Sequence, residues 1–247
     1  MLMLWRSIKA DFIKLKRTSI IYIHILIPII GAYLFLTYYS ISSWSTETKL
    51  AAYYHAMAII FPLLIGIITG IITDQEEGAG GFQNMFTILK GKATSYFSKL
   101  FVLLLLSVFS IIMAIFTFAL VFKNYSLEFY TSLGIALFLG NIPLYILHLF
   151  ISFRFGKGAS IGLGLAGALI SALMETGLGD GIWQFIPWAW GIRFGDFLML
   201  KELNQLTFPY IFELIRKGVF LLISGIFIGL VLSIFWFNRW EGRKSYD

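Results

Sequence analysis

The chain contains no cysteine, which excludes disulfides, thiol catalysis and cysteine-based metal sites. Histidine is scarce too: His24, His55 and His148 are the only ones, none is spaced to pair as a metal ligand, and no HExxH segment occurs. No GxxxxGK[ST] segment is present, so this chain has no P-loop to hold a nucleotide. Charge is sparse, with 13% of residues charged against 59% hydrophobic and a mean hydropathy of +0.85. That balance lies well outside the range of soluble domains and marks an integral membrane protein.

What the sequence has in abundance is long apolar runs. Several exceed the roughly 18 residues that mark a spanning helix, whereas barrel strands would be about 10 residues of alternating polarity. The expected fold is therefore an all-α integral membrane protein, a single domain over 1–247. Its six spans lie at about Ser19–Ile41, Ala51–Thr73, Tyr96–Phe122, Tyr130–Phe153, Ala159–Leu178 and Ile215–Asn238. Pro28 and Pro62 fall inside the first two, where neighbouring helices can satisfy the freed carbonyls. The first apolar run is too long for a cleavable signal, and no small-residue cleavage site follows it.

Residues 1–18 precede the first span. Leu4, Trp5, Ile8, Phe12 and Leu15 share one helical face, and Arg6, Lys9, Lys14 and Arg17 flank it. This pattern suits a helix lying in the interface, its bases toward anionic headgroups; a basic leader that only fixes orientation is the alternative. Of 19 Lys and Arg residues, 13 fall in the two tails, the Asp74–Lys99 connection and the Arg154–Lys157 turn. Positive residues are retained on the cytoplasmic side, so both termini and the Asp74 connection are expected there.

The longest polar interruption between two spans is Asp74–Lys92, DQEEGAGGFQNMFTILKGK, within a connection covering 74–95. It opens on Asp74, Glu76 and Glu77 and passes through Gly78, Gly80 and Gly81. It then offers Phe82, Met85, Phe86 and Leu89 at helical spacing. A plain reversal needs far fewer residues, so the stretch reads as a water-exposed docking element for a soluble partner. Glu76 and Glu77 match the start of an EExxxR hydrolase motif, but the arginine position is Gly81.

The 179–214 stretch is the second informative segment. It carries Trp183, Phe185, Ile186, Trp188, Trp190, Phe194, Phe197 and Leu198, more large apolar groups than an aqueous loop would expose. Either it is an external hairpin dipping into the outer leaflet, broken at Pro187 and polar at Arg193, Asp196 and Glu202, or it is an aromatic belt anchoring span ends. Within the spans, Asn141 and His148 are the polar exceptions, and no row of carboxylates offers a proton relay. The small-residue run from Gly156 to Ala168 would let the fifth span pack closely, in the bundle or at a dimer interface.

Six spans, a basic amphipathic N-terminal helix, an acidic Gly-rich loop and an aromatic segment before the last span together resemble the ABC-2 (type V exporter-like) permease architecture. More closely, LWRSIKADFIKLKRT at Leu4–Thr18, TDQEEGAGGFQNMF at Thr73–Phe86 and IWQFIPWAWGIRFGD at Ile182–Asp196 resemble the small permease subunits of lantibiotic immunity transporters.

The resemblance implies a permease subunit, not an enzyme and with no cofactor of its own. ATP and Mg would be bound by a soluble P-loop ATPase dimer, and a second permease subunit, identical or related, would complete the complex. The cargo would be a lantibiotic or similar cationic antimicrobial peptide taken from the bilayer; no nucleic acid is involved. Asp74, Glu76, Glu77, Gly78, Phe82, Met85 and Phe86 would couple to the ATPase, with Trp5, Ile8 and Phe12 in the interfacial helix. Trp183, Pro187, Trp188, Trp190 and Arg193 would form the substrate side or external gate. On that reading, joint loss of the Glu76 and Glu77 carboxylates uncouples ATP hydrolysis, and loss of the Trp188 and Trp190 rings weakens peptide handling. Another ABC-2 cargo, such as a lipid or drug, and a channel or scaffold without an ATPase are the alternatives.

Overall fold

A computed structural model describes residues 2–16, 18–86, 92–203 and 208–243. Among these residues the chain forms nine α-helices and no strand. They are α1 (Leu2–Leu15), α2 (Ile20–Ile41), α3 (Thr46–Gly78), α4 (Gln83–Phe86), α5 (Ala93–Val121), α6 (Leu127–Phe155), α7 (Lys157–Glu175), α8 (Pro187–Glu202) and α9 (Phe208–Arg239), with 3-10 turns at Gly177–Gly179 and Trp183–Phe185. Six segments are long and apolar enough to cross a membrane: α2, α3, α5, α6, α7 and Ile215–Arg239 of α9. They fall where the apolar runs predict, because in hydrocarbon only a helix satisfies its backbone within one segment. Prolines lie inside α2, α3 and α6, at Pro28, Pro62 and Pro143.

The bundle is organised around α3 and α6. Their most apolar windows are 56% and 61% buried, against 17% for α2 and the spanning part of α9, so the latter two form the lipid-facing rim. α3 makes its most extensive contact with α7, α6 with α8, and α2 with α5. The α3–α7 approach depends on glycine at one face. A Cβ at Gly66 would lie 2.5 Å from the Ser160 carbonyl oxygen, and one at Gly164 would lie 2.7 Å from that of Pro62.

That close approach brings small hydroxyls together. Thr69 and Ser160 Oγ atoms are 3.0 Å apart, His148 Nδ1 is 3.1 Å from Ser160 Oγ, and Ser152 donates to the Thr73 hydroxyl at 2.7 Å. Asn141 donates to the Leu137 carbonyl at 2.7 Å. Both intramembrane polar residues singled out from the sequence therefore face the bundle interior.

The small-residue run thus serves the bundle through Ser160, Gly164 and Gly167, while Gly158 and Gly162 point where no atom lies within 4 Å of a Cβ. Gly164→Val is expected to destabilise the chain by about 1–3 kcal/mol through overpacking, and Gly162→Val to leave it unchanged. Thermal unfolding in detergent separates the two; equal melting points would contradict the α3–α7 contact.

The 179–214 stretch differs from the expected hairpin. Pro187 does not break it; it starts α8 at a first-turn position whose N–H needs no partner. α8 is a half-length helix wedged against α6, α7, α3 and α9. Most of the aromatic rings face inward: Trp183 is 3% and Trp190 4% exposed, because they fill the gap between α8 and α9, with Trp183 5.6 Å from the Phe194 ring, while Phe185 stays exposed. The Tyr54 hydroxyl donates to the Gly191 carbonyl at 2.6 Å, which ties α8 to α3. Residues 204–207 lie outside the described set.

Candidate functional site: an ion-locked turn at one end and an acidic cleft at the other

α1, the last turn of α3, α4, the start of α5 and the segment after α9 meet at one end of the bundle. On α1, Ile8 and Leu15 are buried toward α5, while Trp5 is 66% exposed and Phe12 is exposed. The predicted apolar face is therefore split: one edge docks on protein, and the Trp5 edge is free for an interface. Asp11 and Lys14 share the docked edge at helical spacing.

The Asp74–Gly78 stretch is not a loop. α3 continues one turn past the apolar run, so Glu76 shares a face with Ile72 and turns inward. Glu76 is 2% exposed, and its Oε1 accepts from Lys14 Nζ and Lys99 Nζ, each at 2.6 Å. Lys99 Nζ also reaches Asp11 Oδ1 at 2.7 Å, and the Ser98 hydroxyl donates to Asp11 Oδ2 at 2.5 Å. Gln75 Nε2 donates to the Lys14 carbonyl at 3.1 Å.

Two carboxylates and two ammonium groups from three helices thus form one neutral cluster. A buried charge is tolerated only when paired in this way. The expectation that Glu76 faces a soluble partner is corrected: it holds the N-terminal helix to the ends of α3 and α5. Asp74 and Glu77 do remain at the surface, Asp74 3.2 Å from Lys157 and Glu77 paired with Arg243. Gly78 is exposed.

After α3 the backbone turns through Gly80, Gly81 and Phe82, with φ of +106°, +58° and +69°. A left-handed conformation suits glycine but costs a bulky side chain about 1–2 kcal/mol. Phe82 is held there by its ring, which is 1% exposed and packs 4.9 Å from Trp240 and 6.0 Å from Phe153. Met85 is buried beside it, and Phe86 is half-buried 5.7 Å from Trp240. The apolar turn predicted for docking therefore anchors itself inward, and its polar side, with Gln83 and Glu77, faces out. Leu89 lies outside the described residues.

At the opposite end, α3, α8, the ends of α6 and α7 and the α2–α3 connection enclose a cleft of about 610 Å³. Trp44, Phe129, Met199 and Leu200 supply apolar wall; Glu47, Glu175, Asp196 and Glu202 supply carboxylates against one guanidinium, Arg193. His55 Nε2 is 2.5 Å from Asp196 and its Nδ1 3.5 Å from Glu175. Arg193 is largely committed elsewhere, to the Met174 and Thr176 carbonyls at 2.5 and 2.7 Å and Asp180 at 3.0 Å. Glu47 and Glu202 form no ion pair among the described residues. Both lie near Tyr125, whose hydroxyl pKa is raised first by burial and then by those two carboxylates; it stays neutral as a donor.

Of the five residues predicted for the substrate side or external gate, Arg193 alone lines this cleft; Asp196 and Glu202, the other polar residues of the same stretch, line it too. Trp183 and Trp190 lie behind it in the core, and Trp188 packs against Gly167. Reading the sequence missed Asp11, Lys99, His55, Trp240 and Arg243. A signal existed for Lys99: it falls inside the apolar run that begins at Tyr96, and an ionisable residue there demands a partner.

Residues 7–174 match the family model described as ABC-2 family transporter protein. No curated protein and no solved structure matches the chain.

Proposed function

The chain belongs to the ABC-2 transporter family and is a multi-pass membrane permease, and from that premise we propose that it clears a cationic amphipathic peptide of the lantibiotic kind from the membrane. A soluble P-loop ATPase dimer, binding ATP and Mg, supplies the energy; a second permease subunit completes the pathway. In this reading the ion-locked turn and both termini are cytoplasmic and meet the ATPase, as the distribution of Lys and Arg supports. ATP-driven closure of that dimer pushes on the Glu77 and Gln83 side of the turn. The push reaches α3 and α5 through the Glu76 and Lys99 cluster and rocks the permease halves.

The observation that carries the cargo assignment is the external cleft. Its wall is apolar and aromatic, its four carboxylates face only Arg193 and the His55 imidazole, which pairs with Asp196 and Glu175, and Glu47 and Glu202 have no cation of their own among the described residues. An amphipathic peptide bearing ammonium groups complements both properties, and potentials of opposite sign speed its capture.

Affinity purification of the full chain from its native membrane in mild detergent, followed by mass spectrometry, tests the energy source. A P-loop ATPase is expected; its absence from an intact membrane complex would point to a channel or scaffold. In cells challenged with a cationic lantibiotic, Glu47→Gln combined with Glu202→Gln is expected to lower tolerance severalfold while ATPase recovery stays constant. Undiminished tolerance would remove the cleft from the pathway.

A further inference from the structure

The chain does not end its structural role with the last span. Beyond Arg239 it doubles back across the Gly81–Phe86 turn. Trp240 stacks its ring edge on Phe82 at 4.9 Å and on Phe86 at 5.7 Å. The Arg243 guanidinium pairs with Glu77 and lies 5.5 Å over the Phe82 ring. It fills the space beside Gly156 that a Cβ would need. The start of α5 closes the third side: Lys92 Nζ donates to the Trp240 carbonyl at 2.7 Å and lies 4.7 Å from the Phe86 ring, and the Ala93 amide donates to Asn238 Oδ1 at 3.2 Å.

Phe82 holds a left-handed φ of +69°, a conformation that a bulky residue keeps only when its surroundings over-determine it. Trp240 and Arg243 form a large part of those surroundings. We propose that the segment Trp240–Arg243 is a positioning clamp that keeps the Gly81–Phe86 turn in the one shape the ATPase meets. It acts through Arg243 on Glu77 and through Trp240 on Phe82 and Phe86. The clamp rests on the reading above for what the turn contacts, and on the contacts alone for holding it. Because Gly242 has a φ of +98°, and a Cβ placed on it would stand 3.7 Å from the Gly81 carbonyl oxygen and from the Phe82 and Phe86 rings, the tail follows the turn closely.

Hydrogen exchange on the full chain in detergent tests the clamp without the partner. The amides of Phe82, Gln83 and Met85, bonded to the carbonyls of Glu76, Gly80 and Phe82, report the turn; those of α6 and α7 report the core. Arg243→Glu is expected to speed exchange at the turn by about tenfold and leave the core unchanged. The charge swap Glu77→Arg with Arg243→Glu is expected to restore it. Unaltered exchange at the turn, or a swap that fails to restore it, would overturn the clamp.

ATPase co-purified with the same variants is the second readout, expected to fall severalfold with Arg243→Glu and to return with the swap. A loosened turn with full ATPase recovery would overturn the positioning role. Failure of the unmodified chain to recover any ATPase counts against the transporter reading, and the exchange experiment still decides the clamp.

Discussion

Glu76→Ala is expected to cost the folded chain about 3–5 kcal/mol, because it strands Lys99 in a buried site with Asp11 as its remaining partner. Glu77→Ala is expected to cost under about 1 kcal/mol, since its pair with Arg243 is partly solvated. Two adjacent carboxylates thus have different fates. The contrast follows from α3 continuing to Gly78, which turns one side chain into the bundle and its neighbour out. Thermal unfolding in detergent measures both, and protease access at Lys9 and Lys16 reports release of α1. The cycle with Lys99→Ala is diagnostic: the double variant leaves Asp11 and Lys14 as a neutral remainder, so its cost should fall below the sum of the single costs by about 0.5–3 kcal/mol. Strict additivity would show that the cluster is not one unit. An uncoupling phenotype in the joint variant therefore needs the Glu77 single variant beside it before it can be assigned to the ATPase contact.

Trp190→Ala is the second large effect, expected at about 3–5 kcal/mol as a deleted core aromatic. The Trp190 indole N–H donates to the Gln184 carbonyl at 2.9 Å, and its ring lies 3.2 Å from where a Cβ of Gly225 would stand. Its removal opens the α8–α9 seam. Trp188→Ala, at a half-buried position whose indole N–H has no partner among the described residues, is expected to cost less than half as much. Cleavage of the chain between α8 and α9 by a protease, compared across the two variants, reads the difference. If both lower peptide tolerance equally at equal stability, the rings meet cargo after all and the inward packing is wrong.

Span positions were legible because transfer into hydrocarbon is decided residue by residue along a run. Lys99 escaped because its partners are 23 and 88 positions away: the pattern supplies a charge near a span end, and only the fold supplies Asp11 and Glu76. His55 escaped for the same reason, its carboxylate Asp196 being 141 residues distant. The 183–198 stretch was misplaced by a different ambiguity. Tryptophan and phenylalanine mark both a membrane interface and a buried seam, and composition cannot separate them; Pro187 reads equally as a breaker or a first-turn residue. The split face of α1 was half legible, since Ile8 and Trp5 share a stripe that the docked and free edges divide.

Gly156 ends α6 and begins α7 as a single residue at φ +92°, and α7 is the least apolar of the six spans. With no residue of slack between them, the chain itself holds α7 beside α6, and the direction in which α7 returns to meet α3 is fixed by the backbone of one glycine.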